Sequence, residues 1–210
     1  KEVRSNAKLK PILDTYQQVN TILNDGDPIW NHPEIDRDHI ADLHLLTTKQ
    51  IIYLFNLDEA GLSDKNRQNE LQKLVSPSQA LFVCAKLESE LKDLDESDAK
   101  ELLESYGQNE SGLLQLIHAA YDTLGLQSYL TAGEKEIRAW TIPKDATAPQ
   151  AAGVIHGDFE RGFIAAEIVS YPDLIESGSM ATAKANGKVR TEGKTYIMQP
   201  EDIVDFRFNV

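Results

Sequence analysis

The sequence is poor in cysteine, in positive charge and in long hydrophobic runs, and each shortage excludes a class of protein. A single cysteine, Cys84, among 210 residues excludes an internal disulfide framework and suits a reducing compartment. No apolar run approaches the ~20 residues that a membrane-spanning helix needs, and we identify no signal peptide. We therefore expect a cytoplasmic protein that makes no contact with membranes.

Basic residues are too few for a general nucleic-acid binder. The 21 Lys and Arg residues stand against 34 Asp and Glu residues, which gives a net charge of −13. DNA and anionic membranes are bound through excess positive charge, so we expect neither as a partner, and RNA contact would need a local basic patch. His32, His39, His44 and His118 show no metal-ligand spacing with cysteine, and we predict no metal site in this chain.

The remaining composition is that of an ordinary globular protein, with 41% hydrophobic and 26% charged residues. A chain of 210 residues is long enough for one large domain or two modest ones. It begins at Lys1 rather than at an initiator Met and enters a helical pattern almost at once. We therefore expect it to be a fragment of a longer protein.

The first 44 residues have a helical pattern. Apolar side chains at spacings of three and four form one stripe, made of Leu9, Ile12, Leu13, Tyr16, Val19, Ile22 and Leu23. Pro11 indicates a start or a kink, and Asp25-Gly26 ends the pattern before a second short helix near Ile40. The stripe has no other long helix here to pack on. It either pairs with a helix outside this sequence as a hairpin, which we favour, or covers the sheet.

Residues 45–125 alternate strand and helix, which is typical of a parallel sheet. The run Ile51 to Phe55 is apolar without a break and stops at Asn56, so it predicts a strand buried on both faces. A second buried strand is predicted over 80–85. Two strands cannot form a stable sheet of this type, so we expect further strands outside this sequence. Ligands bind beyond the carboxyl ends of such strands, and Asn56 to Glu59 follow this one.

From Gln127 onward the pattern changes to that of a small, mostly β domain. Strands are predicted at 129–130, 139–142, 164–170, 196–198 and 203–208, with helices at 148–158 and 174–186. A turn at Gly133-Glu134 joins the first two strands. The order strand-strand-helix-strand-strand over some 85 residues is typical of a β-grasp-like domain, and its size suits one small domain.

Four stretches resemble the Obg-like ATPases, the YchF-type branch of the P-loop GTPase-like proteins. They are LLTTKQIIYLFNLDE (45–59), VCAKLESEL (83–91), LTAGEKEIRAWTIPKDATAPQAAGVIHGDFERGFIAAEIVSY (130–171) and GKVRTEGKTYIMQPEDIVDFRFNV (187–210). The resemblance implies an α/β chain in three parts. Residues 1–44 are the return half of a helical, coiled-coil-like insertion. Residues 45–125 are the last third of a P-loop parallel-sheet nucleotide-binding domain, and residues 126–210 are a TGS domain with a β-grasp fold.

The resemblance also implies a function for the intact protein. Its members look like ATP hydrolases that associate with ribosomes, so we expect ATP and the ribosome, through its large subunit, as partners of a monomer. GTP is left open as a further substrate. This chain has no G-x-x-x-x-G-K-[ST] motif, so the phosphate-binding residues and the ligands of the expected Mg²⁺ would lie outside it, and alone it should be inactive. The alternative is a non-catalytic module that docks to the ribosome or to a protein.

The loop after the first strand is similar to the base-recognition motif Asn-Lys-x-Asp of GTPases. The corresponding residues are Asn56, Leu57, Asp58 and Glu59, so the Lys is absent and the last carboxylate is one methylene longer. The resemblance implies a preference for adenine over guanine. Asn56 would bond the purine edge, Leu57 would cover the ring and contact the base through its backbone, and Glu59 would shape the pocket. Without the resemblance, turn preferences indicate only that Asn56 ends a strand and starts a turn.

A second loop, Val83-Cys84-Ala85-Lys86, matches the family's Ser-Ala-Lys loop, whose backbone N–H groups meet the base. Cys84 replaces Ser, so a hydroxyl hydrogen bond would weaken while backbone contacts survive. The alternative for Cys84 is a small buried hydrophobic residue at a strand end. We thus assign Cys84, Ala85 and Lys86 to base binding together with Asn56, Leu57 and Glu59.

The stretch Gly153 to Phe163 carries His156, Asp158, Glu160 and Arg161, which suggests acid–base chemistry. We favour a structural interpretation, in which the helix ends at His156-Gly157, Asp158 caps the next turn, and Glu160 and Arg161 pair or face a neighbouring domain. A docking role for His156, Phe159 and Arg161 stays open.

Basic residues cluster weakly in two places. Lys184, Lys188, Arg190 and Lys194 lie near the C-terminus, and Lys1, Arg4, Lys8 and Lys10 lie at the start. Each cluster could contact ribosomal RNA or form a solvated rim, and we count Lys184, Lys188 and Arg190 as candidate docking residues. The acidic helices over 88–104 are expected to be a solvent-facing surface.

Overall fold

A computed structural model describes residues 9–133 and 136–209. The interpretations of Lys1, Arg4, Lys8 and Glu134 lie outside the described residues. The chain divides into two compact units, Lys1–Leu116 and Ile117–Val210. Within the described residues, no helix combines the length and the apolar character that crossing a membrane requires.

The first unit begins with helix and continues as alternating strand and helix. Its elements are α1 (Lys10–Asn24), three 3₁₀ turns (Ile29–Asn31, Asp38–Leu43 and Leu46–Thr48), β1 (Ile52–Asn56), α2 (Glu59–Ser63), α3 (Lys65–Val75), β2 (Gln79–Val83), α4 (Ala85–Leu91), α5 (Glu96–Ser105) and the start of α6 (Gly112–Leu124).

Helix α1 packs against the irregular segment that follows it. Val19 is buried in a cluster with Ile29, Ile35 and Ile40. The guanidinium of Arg37 donates to the carbonyl oxygens of Ile29 at 2.9 Å and of Thr48 at 3.0 Å, which ties the turns together. The chain itself therefore covers part of the apolar stripe, an arrangement that was neither of the two alternatives. The helical hairpin stays a prediction.

Strands β1 and β2 pair in parallel, with Ile52 opposite Gln79 and Asn56 opposite Val83. The prediction that β1 is buried on both faces is wrong, because Tyr53 is 39% and Leu54 is 47% exposed. Among the described residues this sheet has only these strands, so little packs on either face. The second strand is also shorter than predicted, because helix α4 begins directly after Cys84.

The second unit continues α6 into a mixed sheet flanked by short helices. Its elements are β3 (Leu126–Ala132), β4 (Ile137–Pro143), α7 (Ala148–Ile155), α8 (Gly157–Arg161), β5 (Phe163–Ser170), α9 (Tyr171–Ser177), α10 (Met180–Ala185), β6 (Arg190–Glu192) and β7 (Asp202–Phe208). The strand order is β4-β3-β7-β5-β6 over the described part of the chain. Strands β3 and β7 are parallel and the other pairs are antiparallel.

The core of the second unit lies between this sheet and α7. The largest fully buried side chain, Tyr129, donates its hydroxyl to the carbonyl oxygen of Ala151 at 2.9 Å. The core cluster consists of Tyr129, Ile142, Ala146, Ala148, Ala151, Ala152, Phe163, Ala166, Ile168, Met198, Val204 and Phe206. An α/β fold with a mixed sheet is thus confirmed.

Three predicted elements of the second unit differ most from the structure. The helix predicted over 148–158 breaks at His156, whose backbone is extended (φ −160°). The predicted helix over 174–186 begins earlier and is interrupted at Gly178 (φ 71°), which ends α9 in the left-handed conformation that glycine favours. The strand predicted over 196–198 is a single bridge between Thr147 and Ile197, and β6, which was not predicted, precedes it at Arg190–Glu192.

A buried carboxylate organises the connection from β6 to β7. Asp202 is 2% exposed and accepts hydrogen bonds from the Tyr196 hydroxyl at 3.0 Å and from the Gln199 N–H at 2.8 Å. Arg190 lies 3.7 Å from the same carboxylate and over the Tyr196 ring. These partners satisfy a group that would otherwise be costly to bury.

Candidate functional site

The carboxyl ends of β1 and β2 bring the two predicted base-binding loops side by side. The Leu57 N–H donates to the Val83 carbonyl oxygen at 2.7 Å, which extends the parallel pairing one residue beyond the strand. Glu59 and Lys86 are 27 positions apart in the sequence, yet their loops form one edge. The Leu57 N–H is thereby occupied, so only its carbonyl oxygen remains as a backbone group for a ligand.

Asn56 links the first loop to the second through its side chain. The Ala85 N–H donates to Asn56 Oδ1 at 3.0 Å. This bond orients the amide, because its oxygen is committed and its NH₂ group is left as the donor. Asn56 therefore does more than end a strand, since it joins the start of α4 to the end of β1.

Glu59 and Lys86 form the second link between the loops. Lys86 Nζ lies 2.6 Å from Glu59 Oε1 and 3.9 Å from Glu90 Oε1. The hydrogen bond to Glu59 raises the pKa of Lys86 above its ordinary value. Lys86 therefore stays protonated, and the Glu59 carboxylate has a charged partner within the edge itself.

Asp58 has a structural role that the sequence analysis missed. Its side chain caps α2 by accepting from the Gly61 N–H at 2.8 Å. Gly61 is buried, and a Cβ at that position would lie 3.0 Å from Asp58 Oδ1 and from Leu57 Cβ. The signal available in the sequence was an Asp at a helix start, the residue type that prefers the N-cap position.

Cys84 lies on the core side of the second loop. It is 3% exposed and clusters with Leu62 and Leu87, as expected for a small hydrophobic residue at a strand end. Its thiol faces that cluster, so at this position a ligand at the edge would meet backbone rather than sulfur.

Comparisons with known proteins agree on one family. A domain model named YchF-GTPase_C, described as "Protein of unknown function (DUF933)", matches residues 126–209. The ribosome-binding ATPase YchF of Bacillus subtilis is 48% identical over an alignment of 176 residues, which covers 81% of this chain and 48% of that protein. The chain is therefore similar to the YchF-type, Obg-like ATPases, and its residues 126–209 match their C-terminal domain model.

Two further YchF-type matches support this conclusion. Obg-like ATPase 1 of Caenorhabditis elegans is 39% identical over 98% of this chain and 54% of its own length. The solved structure of the YchF GTPase of Schizosaccharomyces pombe superposes with a TM-score of 0.76 at 31% identity, over 98% of this chain and 56% of that chain. The chain thus spans about half the length of the YchF relatives it matches.

Of the candidate docking residues in the second unit, His156, Phe159 and Arg161 lie on or beside α8. His156 caps α8 by accepting from the Asp158 N–H at 3.2 Å, so the prediction that Asp158 is the cap is wrong. An extended backbone at His156 makes it the residue that starts the helix, and Asp158 lies inside the first turn. Arg161 pairs with Asp158 and lowers the pKa of that carboxyl. Phe159 stacks on Phe208, with ring centroids 3.8 Å apart.

The basic candidates near the C-terminus each have an acidic or aromatic partner. Lys184 Nζ lies 3.1 Å from Glu167 and Lys188 Nζ lies 2.8 Å from Asp173. Arg190 lies over Tyr196 and near Asp202. Their charge is therefore partly neutralised by this unit. An RNA-binding role for them stays a prediction.

The described residues provide no evidence for a metal-binding site. In the ranges 9–133 and 136–209, no three His, Cys, Asp or Glu side chains are grouped so that they could hold a metal ion. The carboxylates at the candidate edge are committed to Gly61 and to Lys86. Among the described residues we therefore assign no ligand to the magnesium ion that the family resemblance implies.

Proposed function

We propose that the intact protein containing this chain binds and hydrolyses ATP and associates with ribosomes as a regulator. Residues Asn56, Leu57, Glu59 and Cys84 to Lys86 would form the wall that faces the base. The observation that carries the proposal is the pair of links, Ala85 N–H to Asn56 Oδ1 and Lys86 to Glu59, at the carboxyl edge of two parallel strands. Relatives named as ribosome-binding ATPases support the wider activity and the ribosome as partner.

The preference for adenine follows from the chemistry of the loop. Guanine presents two donors, N1–H and the 2-amino group, and a site selects it when a free carboxylate accepts both. Asp58 accepts from Gly61 and Glu59 is paired with Lys86, so neither carboxylate is free. The Asn56 amide NH₂ suits purine N7, and the Leu57 carbonyl oxygen suits the adenine 6-amino group.

We further propose the division of the chain that the resemblance implies. Residues 1–44 would complete a helical insertion, residues 45–125 would complete a P-loop domain, and residues 126–210 would be a TGS domain with a β-grasp fold. The parallel β1–β2 pair and the mixed sheet crossed by α7 support the last two assignments. In this scheme the phosphate and Mg²⁺ contacts come from residues outside this chain, and the protein acts as a monomer in the cytoplasm.

Nucleotide affinity tests the proposal. Isothermal titration of the intact protein with ATP and with GTP should give an ATP affinity higher by on the order of tenfold, because guanine donors would be left unpaired. Asn56→Ala should weaken binding of both nucleotides, whereas Asn66→Ala, on the exposed side of α3, should change neither. A clear preference for GTP would refute the assignment of Leu57 and Glu59.

A second candidate function is a non-catalytic docking module. The observation that favours it is a groove of about 580 Å³ in the second unit, lined in part by Trp140, Phe159, Phe206 and Phe208. Aromatic side chains in a groove are frequent anchors of protein interfaces. Co-sedimentation of this chain with ribosomes tests the idea, with Phe159→Ala expected to reduce binding and Ile175→Ala, exposed on α9, to leave it unchanged. Failure of the unmodified chain to co-sediment would count against the module.

A further inference from the structure

An ion pair between Lys86 and Glu59 lies at the proposed base-facing edge. We infer that Lys86 sets the purine preference of the proposed site, by holding the Glu59 carboxylate away from the donors of guanine. This inference rests on the proposed function, because it assigns Lys86 a specificity-determining role at the same edge.

The geometry of the pair is that of a charge-assisted hydrogen bond. The separation of 2.6 Å is slightly shorter than the ~2.7–2.9 Å usual between an ammonium and a carboxylate. Glu59 is the first residue of α2 and Lys86 lies in the first turn of α4. The ion pair therefore connects the loop that follows β1 with the loop that follows β2. The Glu59 side chain is 37% exposed and that of Lys86 is 68% exposed, so a ligand can approach both.

The neighbouring groups leave Glu59 as the only acid of the first loop that could turn to a base. The Asp58 carboxylate is committed to the Gly61 N–H, where it caps α2. Glu90 lies 3.9 Å from Lys86 and one turn further along α4, so it competes weakly for the same ammonium. If Lys86 releases Glu59, that carboxylate is therefore the one that gains freedom at the edge.

A free carboxylate would treat the two purines differently. Guanine offers N1–H and an amino group to it, whereas adenine presents N1 as an acceptor, which repels carboxylate oxygens. Pairing with Lys86 therefore disfavours guanine and removes a repulsion from adenine. The alternative to a specificity role is an ordinary surface ion pair. Such a pair contributes little to stability and has no effect on which base binds.

Substitution of Lys86 by Met separates the two explanations. Met keeps most of the aliphatic stem and removes the charge, so Lys86→Met in the intact protein should raise GTP affinity relative to ATP about three- to fivefold at low salt. Lys86→Arg, which keeps the pair, should leave the ratio near that of the unmodified protein. Lys100→Met is the matched charge control, because Lys100 pairs only at 3.9 Å with Glu104 on α5.

A second substitution identifies Glu59 as the group that is released. Adding Glu59→Gln to Lys86→Met should abolish the gain in GTP affinity, because an amide does not accept from both guanine donors. Thermal unfolding of each variant should match the unmodified protein, since both side chains are at least partly exposed.

The outcomes are distinct. An unchanged GTP-to-ATP ratio in Lys86→Met, or an equal loss of both affinities, overturns the inference while the proposed function stands. If the unmodified protein does not prefer ATP, the proposed function fails, and a ratio that shifts in Lys86→Met but not in Lys86→Arg still supports the role of Lys86.

Discussion

The mixed sheet of the second unit buries its central strands, whereas the two strands of the first unit keep large apolar side chains in contact with solvent. Ile168 and Val169 on β5 are fully buried, but Leu54 on β1 is half exposed. Both strands are rich in β-branched and large apolar residues, so strand composition alone does not distinguish them. The two strands differ in the number of neighbouring elements that cover them. In the second unit those elements bury the central strands in a core.

Truncating one apolar residue in each sheet gives the largest expected contrast. Ile168→Ala should lower the free energy of unfolding by about 3–4 kcal/mol, because it leaves a cavity in a closed core. Leu54→Ala should cost less than about 1 kcal/mol, because about half of the side chain is already exposed to solvent. Urea denaturation of this chain measures both. Equal losses would show that the two sheets are covered to the same extent.

The buried carboxylate of the second unit should give the next effect. Asp202→Ala leaves the Tyr196 hydroxyl and the Gln199 N–H without their acceptor, and it should cost about 2–3 kcal/mol in the free energy of unfolding. Asp205→Ala, on the exposed side of the same strand, should cost less than about 0.5 kcal/mol. A result in which both substitutions cost the same would contradict the role assigned to Asp202.

The close approach at Gly61 sharpens the comparison at the candidate site. Gly61→Ala places a methyl group 3.0 Å from Asp58 Oδ1 and Leu57 Cβ, so we expect a loss of about 1–2 kcal/mol in stability. Displacement of Leu57 should also weaken ATP binding by the intact protein. Gly157→Ala is the control, because nothing lies within 4 Å of its added Cβ. Unaltered stability and ATP affinity in Gly61→Ala would show that the loop accommodates the methyl group without a loss of folding free energy.

The smallest expected effect is a pH dependence of stability that originates at His32, in the segment after α1. Hydrogen bonds to Glu34 and Asp27 raise the pKa of His32 above its ordinary value. Because the folded-state pKa is raised, the stabilisation is fully present below about pH 6.5 and is lost as pH rises through the folded-state value. Thermal unfolding between pH 5.5 and pH 8.5 (roughly the range that brackets histidine titration) should show this decline. His32→Gln should flatten it. An unchanged profile in that variant would assign the decline to other groups.

The sequence predicted well those features that depend on neighbouring residues. Pro11 lies in the first turn of α1, and that helix ends directly before Asp25 and Gly26, whose φ is 80°. The unbroken apolar run of β1 correctly indicated a strand that stops at Asn56, although its burial was wrong. Predictions were weaker where a short helix begins or ends, as at His156, because its extended backbone and capping role are not encoded by periodicity.

Several contacts of the candidate site were beyond the reach of the sequence. The motif Asn56 to Glu59 was recognisable, but nothing local indicated that Lys86 would meet Glu59, or that Asn56 would accept from Ala85. The crowding around Gly61 was equally hidden, since it depends on how α2 folds back over Leu57. These contacts depend on residues that are close in space but distant in sequence, and the sequence alone does not identify them.

The sequence by itself determined the alternation of strand and helix, the helix ends at glycine, and the polar residues that follow the first strand. Only the tertiary structure decided which charges meet, which carboxylate is a cap, and which apolar strand is covered. The physical reason is that backbone preferences act over a few residues, whereas burial and ion pairing depend on the register between strands. The parallel register of Asn56 with Val83 sets the second loop beside the first and so brings Lys86 to Glu59.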